Sequence, residues 1–166
     1  MDTDMSENRA AFPVDRPVEA LLRDHDMFRK LSETFSNSQD KEVRKQAAFQ
    51  ILLLLDIHSQ LEESVFYPAV RTVDPAMIGH FEQEHQKTDD LLQPLRTMPL
   101  EDPQAEQLLR QIIDATMHHI QEEETEFLPK LEQANLDMAG IGLQMQAFEA
   151  NFVHVQARTG QQSSHQ

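Results

Sequence analysis

The sequence predicts an all-α fold, an antiparallel up-down four-helix bundle with an additional C-terminal helix. Three observations predict it. Five segments repeat apolar residues at helical spacing, and none shows sustained strand-like alternation. Aspartate caps, two of them followed by proline, mark helix starts. Leu, Gln, Glu, Ala and Met dominate while glycine occurs only four times, a composition that suits helices.

The first helix is expected from about Pro17 to Ser36, with Val18, Leu21, Leu22, His25, Phe28 and Leu31 on or near one stripe. The turn "SNSQD" follows, and Asp40 caps the second helix. That helix bears Val43, Ala47, Ile51, Leu54, Leu55, His58, Leu61 and Val65, and ends or kinks at Pro68. Asp74 and Pro75 open the third, with Ile78, Phe81, Leu92 and Leu95; Pro94 should kink or shorten its end. Asp102 and Pro103 repeat that device for the fourth, which carries Leu108, Ile112, Ala115, His119 and Phe127 up to Pro129. The fifth starts near Asp137 and places Ile141, Met145, Phe148, Phe152 and Val155 at helical spacing. It is expected to cover exposed core, with a contact between two copies in a homodimer as the alternative. The organisation is then a flexible segment over 1–14, the bundle over 15–135, the additional helix over 136–158 and a disordered tail over 159–166.

A formal charge of −15 repels phosphate backbones and anionic membrane surfaces, so neither nucleic acid nor membrane is an expected partner. No cysteine is present, which excludes disulfides, thiolate metal sites and cysteine nucleophiles. The longest apolar run, Ile51 to Leu55, is too short to span a bilayer. The acidic start lacks a signal-peptide core, and a cytoplasmic location is the expectation. No Ser/His/Asp nucleophile set is defensible, glycine is too rare for a phosphate-cradling loop, and no catalytic residue is assigned.

The chemistry lies in a duplication. "HSQLEESVFYP" begins at His58, and "HIQEEETEFLP" begins 61 residues later at His119. Both carry H-x-x-x-E-E-x-x-F-x-P. Residues four apart on a helix lie about 40° apart and about 6 Å along the axis, so His58–Glu62 and His119–Glu123 can each reach one small site. The stripe around His58 is apolar, which turns Glu62 inward, and coordination to a metal is one way to compensate a buried carboxylate. Asp24–His25 and Glu84–His85 precede the two motifs at matching intervals. Four histidines and two glutamates from four helices make an inventory for two metal ions bridged by carboxylates. Imidazole with carboxylate suits iron, manganese or zinc. The ferritin-type Glu-x-x-His pattern fits only Glu82–His85.

Two further pairs, His80–Glu84 and His118–Glu122, match H-x-x-x-E out of register. His118 lies about 100° from His119 on its helix, and His80 sits on a wetter face, so neither is expected in the centre. His154 and His165 fall outside the repeat. Pro68 and Pro129 each follow a motif glutamate by six residues and crowd the carbonyls of Ser64 and Thr125. They are expected to stop each helix, with a hydroxyl relieving the disturbed backbone as the alternative. One mismatch stands: His25 lies about 11 residues before the first turn and His58 about 18 after it, which separates them by roughly 10 Å in depth.

This pattern of His25, His58-SQL-Glu62, His85 and His119-IQE-Glu123 resembles the hemerythrin-like family, the HHE cation-binding domain, over about residues 17 to 133. The resemblance implies a four-helix bundle around a non-haem di-iron centre. His25, His58, His85 and His119 are then terminal ligands, and Glu62 and Glu123 bridge two iron ions. The oxygen-carrying members have a fifth histidine on the third helix. Here the residue four before His85 is Phe81, and Asp89 or solvent is expected to fill that coordination position. The implied function is to bind or sense O2 or NO, or to react with peroxide. Alternatives are iron storage, delivery or sensing, and repair of iron–sulfur clusters under nitrosative stress. The repair proteins usually carry a further cysteine-containing domain, and this sequence has no cysteine.

Overall fold

The computed structural model describes residues 16–163, with side chains described as far as Phe152. The segment 1–14, the side chains of Val155 and His154, and His165 lie outside the described residues. Five long helices form: α1 Pro17–Asn37, α2 Lys41–Leu61, α3 Pro75–Leu92, α4 Pro103–Glu122 and α5 Met138–Ser163. No strand occurs among the described residues.

The caps act as the sequence implies. Asp40 accepts hydrogen bonds from the backbone N–H groups of Glu42 and Val43, Asp74 from Met77, and Asp102 from Gln104. Each satisfies donors that the first helical turn leaves unpaired. At the end of α3 the chain tightens into a 3₁₀ segment, Gln93–Thr97, where Pro94 cannot continue an α-helix and Leu95 turns into the core.

Short turns make α1–α2 and α3–α4 antiparallel pairs, and the pairs close into a bundle with two apolar clusters. One gathers Leu21, Leu61, Phe66, Ile78, Phe81 and Phe127. The other gathers Phe28, Ile51, Leu55, Leu95, Leu109 and Ile112. Along each helix the histidines of the repeat fall between the two, so a polar layer crosses an otherwise dry core. Ile141 and Met145 of α5 join the first cluster, and α5 packs on α1, α2 and the segment after α2. The fifth helix therefore covers core.

Neither repeated proline stops its helix. Glu62–Phe66 and Glu123–Phe127 are π-helical, and the chain stays helical to Val70 and Leu131. Pro68 and Pro129 lack an N–H and crowd the turn before them, and a widened turn relieves both problems. The Tyr67 and Leu128 N–H groups reach back five residues, to the carbonyls of Glu62 and Glu123. Thr125 Oγ1 donates instead to the Gln121 carbonyl at 2.7 Å, the ordinary bond of a helical threonine.

The depth mismatch between His25 and His58 closes through side-chain direction. Helical side chains lean toward the N-terminus of their own helix. In antiparallel α1 and α2, His25 leans away from the connecting turn and His58 leans back toward it. Their rings meet with centroids 5.1 Å apart, and those of His85 and His119 meet at 4.7 Å.

Candidate metal centre

The polar layer holds six side chains from four helices: His25, His58, Glu62, His85, His119 and Glu123. All are buried, and both glutamates are 0% exposed. Donor atoms of His25, His58, Glu62 and Glu123 lie within 4.8 Å of one another, and so do those of Glu62, His85 and His119. Glu62 belongs to both groups. Its Oε1 lies 3.1 Å from His58 Nε2 and 3.4 Å from His85 Nε2. Glu123 also faces both ways, with Oε1 3.4 Å from His25 Nε2 and Oε2 3.3 Å from His119 Nε2.

Several of these atoms are near without being satisfied. His25 Nε2, His58 Nε2, both Glu62 oxygens and Glu123 Oε1 are buried and have no hydrogen-bond partner. His58 Nε2 and Glu62 Oε1 are close in distance, but their orientation makes no hydrogen bond. Unpaired buried polar atoms cost about 1–3 kcal/mol each. Lone pairs converging on common points are the arrangement a bound cation resolves. The buried His/Glu clusters fit a metal-binding site.

The outer nitrogens follow one rule. His58 Nδ1 meets Asp24 at 3.0 Å, His119 Nδ1 meets Glu84 at 3.0 Å, His85 Nδ1 meets Glu63 at 3.1 Å, and His25 Nδ1 meets Glu124 at 2.7 Å. Each carboxylate is the sequence neighbour of one inward residue and serves a histidine on another helix. A carboxylate at Nδ1 holds the proton there and leaves the Nε2 lone pair facing the centre. Glu124 is itself clamped by Arg29 at 2.9 Å. Burial works against the Glu124 anion, and Arg29 and His25 outweigh it, so its carboxyl titrates below the usual range. These four partners escape a motif search, although the D-H, E-H and E-E doublets that supply them stand in the repeat.

A seventh group enters from the first π segment. Tyr67 is 0% exposed, and its hydroxyl donates to Glu123 Oε2 at 2.8 Å while lying 3.3 Å from His119 Nε2 and 3.5 Å from His85 Nε2. Burial and the charges of Glu62 and Glu123 push its phenol well above the ordinary range, so it stays an O–H donor. The second repeat has Leu128 at this position. On a regular helix Tyr67 would point about 140° away from Glu62, and the widened turn brings it inward. Phe81 stacks on the Tyr67 ring at 6.0 Å and meets His119 edge-on at 5.1 Å.

Asp89 does not join this layer. Its side chain is 48% exposed, lies 3.8 Å from Arg96, and accepts from Gln93 at 3.4 Å. One turn beyond His85, α3 has passed to the level of the second apolar cluster, where a carboxylate finds no partner in the core and turns outward to Gln93 and Arg96. The expectation that Asp89 fills the place of a fifth histidine is corrected accordingly. The Tyr67 hydroxyl, not Asp89, stands beside His85 and His119.

No helix among the described residues is long and apolar enough to cross a membrane. The family model for the hemerythrin HHE cation binding domain matches residues 16–131. A search of curated proteins gives no match. Among solved structures, the chain is similar to a hemerythrin HHE cation binding domain-containing protein from Mycobacterium kansasii. The two are 21% identical with a TM-score of 0.65, and the match covers 82% of this chain and 88% of that one. At that identity the likeness shows the fold.

Proposed function

The chain belongs to the hemerythrin HHE cation-binding domain family, and from that premise we propose that its buried centre holds two iron ions. His25, His58, His85 and His119 are the terminal ligands and Glu62 and Glu123 the bridges. The centre binds a small ligand, O2 or NO, or reacts with peroxide. The observation that supports two ions is the membership of Glu62 in both donor groups. Imidazole and carboxylate are donors that iron accepts.

Bound iron supplies the redox change and the open coordination that such ligands need. The chain's own residues do the rest. Asp24, Glu63, Glu84 and Glu124 fix the orientation of the four imidazoles. The two apolar clusters keep water from the layer. Tyr67 holds a proton at its hydroxyl beside His85, His119 and Glu123, placed to donate a hydrogen bond to a ligand in that half of the centre.

Iron content and the optical spectrum of aerobically loaded protein, before and after O2, peroxide and NO, test this reading. Two irons per chain, near-ultraviolet bands of a bridged pair and a spectral response to at least one ligand are expected. One iron per chain, or a spectrum indifferent to all three, overturns it. A second reading, iron-level sensing, is favoured by one contact: α5 packs on the π segment that begins at Glu62.

A further inference from the structure

The two H-x-x-x-E pairs that fall out of register with the repeat meet each other in space. His80–Glu84 lies on α3 and His118–Glu122 on α4. His80 Nε2 is 3.1 Å from Glu122 Oε1 and 3.5 Å from Glu84 Oε1. His118 Nε2 is 3.4 Å from the same Glu122 oxygen and 3.9 Å from Glu84 Oε2. Donors of His80, Glu84 and Glu122 lie within 4.8 Å of one another, with His118 beside them. Ligands about 2.1 Å from a tetrahedral ion stand about 3.4 Å apart, so these separations suit one cation.

The charge balance points the same way. The Glu84 and Glu122 carboxylates lie side by side, with donor oxygens within 4.8 Å of each other. Their side chains are only 16% and 22% exposed, and among the described residues no lysine or arginine pairs with either. Two neighbouring carboxylates without a lysine or arginine partner, flanked by two imidazoles, form a mixed nitrogen–oxygen donor set. The imidazoles are open to solvent, with His80 49% and His118 70% exposed. An ion there can exchange, unlike one in the buried layer.

We propose that His80, Glu84, Glu122 and His118 form a second, peripheral site for a divalent transition cation of the zinc or ferrous class. Glu84 is common to both places. It faces His80 and His118 on the surface and accepts from His119 Nδ1 at 3.0 Å within. A cation at the surface is thus separated from a ligand of the buried centre by one carboxylate.

The test is zinc uptake by the full chain after iron loading, followed by equilibrium dialysis and metal analysis, in the wild type and in His80→Gln/His118→Gln. Neither substituted residue belongs to the buried centre, so iron content and circular dichroism serve as the folding control. The wild type takes up about one zinc per chain more than the double variant, and each single variant binds that zinc more weakly. Equal zinc uptake by the wild type and a folded double variant overturns the proposal. If zinc also fills the buried centre because iron does not, both totals rise while their difference stays at one. Failure of the di-iron reading is therefore distinguishable from failure of this one.

Discussion

The Tyr67 hydroxyl donates to Glu123 Oε2 across 2.8 Å, linking the two halves of the repeat at a position where their sequences differ. Its partner in the second half, Leu128, has no polar atom to offer. Tyr67→Phe removes the hydroxyl and keeps the ring that stacks on Phe81. Iron content is expected to stay at two per chain, because no proposed ligand is lost. In the metal-free protein, Glu123 Oε2 loses its donor, which costs about 1–3 kcal/mol in denaturant unfolding. The reaction with peroxide slows by about 100-fold if Tyr67 supplies the proton, measured by stopped-flow absorbance. An unchanged rate removes Tyr67 from the chemistry.

The two glutamates are not equivalent, since Glu62 belongs to both donor groups and Glu123 to one of them. Glu62→Ala therefore deprives both positions at once, and its metal content should fall close to zero. Glu123→Ala leaves Glu62, His85 and His119 together and should retain part of the metal. Metal analysis of the two variants purified side by side decides it. Retention of two irons by Glu62→Ala contradicts the bridge assignment.

Asp24 supports His58 rather than its own neighbour His25. Asp24→Asn keeps the shape of the side chain and removes its charge, which makes the His58 imidazole a weaker donor. Loss of such a partner lowers metal affinity by about 10- to 100-fold. Competition with a chelator reads this directly, and an affinity equal to the wild type would show that Asp24 does not tune the site.

The repeat made the converging histidines legible, because register separates His58 and His119 from their look-alikes at His80 and His118. The helical period and the caps made the bundle legible as well. Three features were not. Tyr67 is invisible to a 3.6-residue wheel, which turns it away from Glu62, and only the π insertion brings it inward. The carboxylate doublets stand in the sequence, but a single helix does not say which histidine across an interface each one meets. Asp89 reads as a candidate from its place four residues after His85; what dismisses it is the level of the apolar cluster beside it, a property of four helices at once.

The pH dependence follows from the three histidines held above their ordinary range. Burial disfavours protonation of His58, but the Glu62 and Asp24 carboxylates outweigh it. His85 and His119 are likewise raised against burial, by Glu62 with Glu63 and by Glu123 with Glu62 and Glu84. A folded-state value raised above the unfolded one adds stability that is complete below about pH 6.5 and is lost as pH climbs through the folded value. The metal-free protein should therefore lose stability as pH rises from about 6.5. Metal binding displaces these protons, so metal contributes more over the same interval. The gap in Tm between iron-loaded and metal-free protein is expected to widen with pH, and calorimetry in buffers of different ionisation heat should detect proton release on binding. A gap that narrows with pH reverses the sign and refutes the coupling.

Metal removal should loosen α5 before the rest of the bundle. The contact runs through the first π segment: Glu62 begins it, Phe66 ends it in the apolar cluster, and Ile141 and Met145 of α5 pack in that same cluster. On the other side, Arg23 lies 3.6 Å from Glu149 of α5 and 3.8 Å from Asp24, the partner of His58. Emptying the centre leaves the buried Glu62 with only histidines for partners, and the π segment it opens is the element with most to gain by moving. α1 to α4 retain the second apolar cluster, in which no described side chain of α5 takes part. Hydrogen exchange of iron-loaded and metal-free protein should show protection lost over residues 62–66 and 138–152, with α4 between Leu109 and Ile113 little changed. Uniform loss across all five helices would mean that the metal stabilises the bundle as one unit, and the sensing reading would lose its structural support.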